Sequence, residues 1–75
     1  MYTKKELDKI RKALPKGGFQ LIADKMPDTT ADAVRMVLMY PDRYRVEVFD
    51  ALILVMQEYK ERVSSQKKKV MEAVK

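Results

Sequence analysis

A proline sits between two short apolar-faced segments in this chain, and it dictates how the two must meet. Phe19 to Met26 carries Ile22, Ala23 and Met26 at spacings of three and four, and Thr30 to Met39 aligns Val34, Val37 and Leu38 the same way. Pro27 has no amide hydrogen and steers Met26 out of helical dihedrals, so the two segments cannot be one helix. Ala23 is small enough for a crossing helix to approach closely. Two helices packed at an angle across a short enforced turn are the expected outcome.

The flanking segments read as helix too. Thr3-Lys4-Lys5-Glu6 has the form of a capping box, and Leu7, Ile10 and Leu14 then recur on one face until Pro15 stops the pattern. The second apolar segment has cap candidates in Thr29 or Asp28, with Asp32 three residues after Thr29. Tyr40-Pro41 breaks that segment and opens the loop Asp42-Arg43-Tyr44-Arg45. From Val46 the pattern resumes through Phe49, Leu52, Ile53, Met56, Tyr59 and Val63, the longest element of the chain. Ser64 and Ser65 are expected to weaken it before Val70, Met71, Ala73 and Val74 restart a short amphipathic run. The fold class predicted is all-α, a compact bundle of four to five helices containing a helix-turn-helix. Residues 1–63 form the domain, and 64–75 form a basic helical extension or tail.

Seventy-five residues bury too little surface for a deep catalytic cleft or an enclosed cofactor, which favours work done at a surface. With no cysteine and no histidine, the chain lacks the commonest zinc ligands, thiol nucleophiles and the usual proton shuttle. Asp24, Asp28 and Asp32 are spaced by four, but the turn at Pro27 breaks the carboxylate face they would make on a continuous helix. No metal, no cofactor and no enzymatic activity are expected. The N-terminal residues are charged rather than apolar, and the run Ala51 to Met56 is too short to cross a bilayer, so the expectation is a cytoplasmic protein off the membrane.

The net charge of +5 is unevenly spread. Residues 1–16 hold six basic against two acidic side chains and residues 64–75 four against one, with two further arginines in the loop at 43 and 45. Such placement suits a polyanion held at several points; a solvated lysine-rich surface is the alternative. Lys16-Gly17-Gly18 leaves helix-start amides open to phosphate, or else is a plain flexible turn.

The stretch Leu14-Pro15-Lys16-Gly17-Gly18-Phe19-Gln20-Leu21-Ile22-Ala23-Asp24-Lys25, followed by Ala33-Val34-Arg35-Met36-Val37-Leu38, resembles small lambda-repressor-like (Cro/C1-type) helix-turn-helix regulators of bacteria or phage. Val48-Phe49-Asp50-Ala51-Leu52-Ile53 and Gln57-Glu58-Tyr59-Lys60 are similar to the helix that follows in such proteins, and the likeness spans roughly residues 7 to 62. Where that family usually has glycine in the turn, Met26-Pro27-Asp28-Thr29 stands here. The resemblance implies a transcriptional regulator bound to double-stranded DNA, with the segment Thr30 to Met39 in the major groove. Its base-reading candidates are Thr30, Ala31, Ala33, Arg35 and Met36. Phosphate contacts fall to Lys16, Gly18, Gln20, Thr29, Arg43, Tyr44 and Arg45.

The centre of the longest helix, Ala51 to Met56, is apolar all round and needs a second cover. A homodimer through Leu54 and Val55 supplies one; helix 1 and the C-terminal segment folding over it supply another. A different class of function also fits these residues: a protein-interaction module on the same fold, without base readout, gripping a partner through Met36, Met39 and the apolar strip of the fourth helix.

Overall fold

The computed structural model describes residues 2–74, and among these the chain is all-helical, with four α-helices and no strand. Helix α1 spans Lys4–Ala13, α2 Gly18–Asp24, α3 Ala31–Met39 and α4 Val46–Ala73, with a single 3-10 turn at Pro41–Arg43.

The start of α1 forms as its sequence dictates. The Thr3 hydroxyl accepts from the Glu6 amide at 3.2 Å, and the Glu6 carboxylate accepts from the Thr3 amide at 2.9 Å. Leu14 turns extended ahead of Pro15 and closes the helix. Gly17 then takes φ +75, a left-handed conformation that glycine adopts without strain, and reverses the chain into α2. Gly18 is buried there, and a Cβ on it would stand 3.0 Å from the Leu14 Cβ. The second glycine is therefore a packing requirement.

Helix α2 ends at Asp24, two residues ahead of the buried Met26 that precedes Pro27. Thr30 caps α3, its hydroxyl accepting from the Ala33 amide at 3.2 Å. This corrects the expected cap by one or two residues: Thr29 and Asp28 lie in the turn instead, their side chains hydrogen-bonded to each other.

The core lies where α2, α3 and the first half of α4 meet α1. Leu7, Ile22, Val34, Leu38 and Val48 are fully enclosed, each worth about 1.5–3 kcal/mol of transfer free energy. Phe49, Ala51 and Val55 complete it from α4. Tyr2 stacks on Phe49 with ring centroids 4.3 Å apart, and Tyr44 stacks on Phe49 at 5.2 Å.

Two expectations fail on α4. Val55 is a core residue at 3% exposure and cannot belong to a dimer interface, whereas Leu54, one position on, is 51% exposed. Ser64 and Ser65 do not interrupt the helix, which runs unbroken for 28 residues, so as far as Ala73 the basic segment is a helical extension of α4 rather than a separate fifth helix. Serine costs only about 0.5 kcal/mol relative to alanine in a helix, too little to break a long one.

Candidate nucleic-acid interface

The turn between α2 and α3 decides what α3 can present. Val34, Val37 and Leu38 face inward, and Ala31 is half-buried against the same core. Ala33 and Met36 are half-buried as well, so the face expected to read bases is narrower than its periodicity implied. Thr30 and Asp32, at the N-terminal end, are exposed. Ala31 is corrected from a base-reading residue to a packing one.

Arg35 does not reach freely outward. Its Nε and Nη2 donate to Asp32 Oδ1 at 3.2 and 3.0 Å, and its Nη1 lies 3.3 Å from the Met39 sulfur. The ion pair with Asp32 is solvent-accessible on both sides and worth no more than about 1 kcal/mol, so exchange for a better acceptor is cheap.

The loop after α3 folds back toward the α2–α3 turn. Arg45 Nη1 comes to 3.5 Å from Thr29 Oγ1, and Arg45 Nε lies 3.9 Å from Glu47 Oε2. A groove beside it is lined by Met26, Pro27, Asp28, Arg45, Asp50 and Leu54, among others. The aromatic stack of Tyr2, Phe49 and Tyr44 supports this loop from behind; Tyr44 keeps 40% exposure, but its ring serves packing first. Arg43 and Lys16 are exposed, and neither forms an ion pair among the described residues.

The structure separates the remaining phosphate candidates. Gly18 is corrected: it is buried, and its amide donates to the Pro15 carbonyl at 2.9 Å, leaving no free donor. Gln20 is exposed on α2 with its amide nitrogen donating to Asp24 Oδ1 at 2.8 Å. Thr29 is half-buried between Asp28 and Arg45. Thus Thr29, Thr30 and Arg45 are brought together, while Lys16 and Gln20 sit on the α2 side. Asp24, Asp28 and Asp32 do not converge; no cluster of three or more potential metal ligands exists among the described residues.

Sequence periodicity missed Arg11. Its Nη1 donates to the Leu38 carbonyl near the end of α3, and its Nη2 reaches Asp8 Oδ1 at 3.2 Å. The signal was present, since Arg11 stands between Leu7 and Leu14 on the apolar face of α1, where a solvated charge has no place. The pair between Lys25 and Glu58, at 2.6 Å, was also missed; it ties the end of α2 to α4.

The fold and site define a small all-helical protein with a cationic loop beside an exposed helix start. Comparison with protein families, curated proteins and solved structures finds no match to this chain. No helix among the described residues is long and apolar enough to cross a membrane.

Proposed function

We propose that this chain is a DNA-binding transcriptional regulator of the helix-turn-helix type. In this reading α2 crosses the phosphate backbone and the N-terminal end of α3 enters the major groove. Lys16, Gln20, Arg43 and Arg45 neutralise or hydrogen-bond phosphates on either side. The observation that carries it is the approach of Arg45 to Thr29, which sets a guanidinium beside the exposed cap Thr30 and the first turn of α3. In groove-docking helix pairs it is this N-terminal end that meets base edges. Arg35 contributes to readout once it leaves Asp32, and the half-buried Met36 and Ala33 add apolar contact at the rim. A two-fold dimer through Leu54 and its exposed neighbour Ile53 would present two such helices to a palindromic site.

The test is fluorescence anisotropy with a mixed-sequence duplex across a salt series. Binding weakens steeply with salt, and the double variant R43A/R45A lowers the slope of log affinity against log salt by about 1.8, two phosphate contacts at about 0.9 each. Unchanged affinity and slope in that variant would remove the loop from the interface, and no binding at low salt overturns the reading. A second reading, a protein-interaction module on this fold, is favoured by the engagement of Arg35 with Asp32 and Met39, which occupies the main base-reading donor. Failure to bind duplex DNA at low salt shifts the assignment to it.

A further inference from the structure

Helix α4 outruns the body of the protein. Tyr59 and Arg62 still line a hollow with Leu21, Asp24 and Lys25 of α2, but every residue from Val63 to Val74 is exposed. The stretch from Tyr59 to Ala73 extends about 22 Å at 1.5 Å per residue. An isolated helix of this length is marginal in water, and it holds its shape best when one side is covered.

Its surface is ordered for such a cover. Tyr59, Val63, Gln66, Val70 and Ala73 follow one another at spacings of four, three, four and three, the seven-residue repeat that makes a narrow seam along a helix. Tyr59, Val63 and Val70 are 40%, 43% and 53% exposed, so the seam is open. The positions that border a seam of this kind, and that face the flanks of a paired helix, are Lys60, Arg62, Lys67, Lys69 and, at the end, Val74. Four of these five are basic and none is acidic. The acidic residues of the segment, Glu61 and Glu72, fall on the far side.

That border decides the occupant. In a parallel pair of identical chains Arg62 would face Lys67 of the second copy, with Lys69 opposite Val74 and Lys60 opposite the buried Val55, and in an antiparallel pair the basic borders would face each other, so self-pairing sets like charges together and supplies no opposing acid. A membrane surface asks for a broad apolar face along the whole helix, whereas here Met71 and Val74 widen the seam only at its last turn and its middle holds Gln66 between Ser65 and Lys67. We infer that the projecting half of α4 is a docking helix for an amphipathic helix of another protein whose seam is apolar and whose borders are acidic. This surface is distinct from the α3 end and does not depend on DNA binding.

The probe is a synthetic three-heptad peptide with leucine and valine along its seam and glutamate at both borders, compared with the same peptide carrying lysine there. Titrated against the full chain at low salt, the glutamate peptide binds at least about tenfold tighter than the lysine peptide. The double variant V63Q/V70Q loses at least about tenfold in that affinity, while its duplex-DNA affinity stays unchanged; glutamine forms helix better than valine, so the loss does not come from melting. Reversing the four basic borders (K60E, R62E, K67E, K69E) switches the preference to the lysine peptide. The inference is overturned by equal binding of the two peptides, by no binding of either, or by V63Q/V70Q having no effect. It is equally overturned if phosphatidylserine vesicles capture the chain and neither peptide competes, or if sedimentation shows self-association that V63Q/V70Q abolishes.

Discussion

Replacing Arg11 by methionine isolates what its guanidinium does, because methionine retains much of the apolar stem. The guanidinium hydrogen-bonds the Leu38 carbonyl, so one cation on α1 holds the C-terminal end of α3. Hydrogen bonds to charged groups contribute about 1.5–3 kcal/mol, and the side chain is 27% exposed, which places the expected loss near the lower end, at about 1.5–2 kcal/mol. With a urea dependence of about 1 kcal/mol per molar for a chain of this size, the unfolding midpoint falls by about 1.5–2 M. Equilibrium urea unfolding followed by far-ultraviolet circular dichroism measures it. Asp8→Asn, which removes the solvent-accessible carboxylate shared by Arg11 and Lys12, moves the midpoint much less. If R11M shifts the midpoint no more than D8N does, the grip on Leu38 contributes nothing and the reasoning fails.

Two shorter predictions concern the N-terminal half. The Glu6 carboxyl is held below its ordinary value of 4.5 by accepting from the Thr3 amide and hydroxyl, and Asp8 below its ordinary 3.8, chiefly by Lys12. Depressed folded values mean that this stability is complete above the ordinary carboxylate range and is lost as pH falls through the lowered ones. Thermal midpoints should accordingly drop on acidification below about pH 4, and less so in E6Q/D8N; an identical pH profile for that variant would refute the assignment. Gly18→Ala should destabilise through contact with Leu14, whereas Gly17→Ala, with open space around it, should lose about 1 kcal/mol through its left-handed backbone alone. Thermal unfolding of both separates a steric cause from a conformational one, and a neutral G18A would show that Leu14 yields freely.

Local signals carried most of the fold. The capping box at Thr3 and Glu6, the stop at Pro15, and the inward set Ile22, Ala23, Met26, Val34, Val37 and Leu38 all follow from spacing and chain stereochemistry, because each depends on neighbours within one turn. The missing parts depended on distant ones. Thr29 and Thr30 are equally able caps by chemistry, and the path of the turn from Met26 selects between them. Ala51 to Met56 is apolar on every side, so only the position of α2 determines that Val55 is enclosed while Ile53 and Leu54 face out. For the candidate interface, residue type and order singled out Arg45 and Thr29, and the three-residue spacing of Asp32 and Arg35 already allowed their pairing, but no periodicity could reveal that the Gly18 amide is already engaged.

The stacked rings at the foot of α4 have an optical consequence. Tyrosine is the main intrinsic fluorophore here, since the chain has four tyrosines and no tryptophan. Two of the four, Tyr2 and Tyr44, lie against Phe49, and Tyr44 is the immediate neighbour of both loop arginines. Emission from these rings therefore reports on the seating of the segment that carries Arg43 and Arg45, giving the molecule an unlabelled gauge of whether that segment stays docked when a ligand arrives.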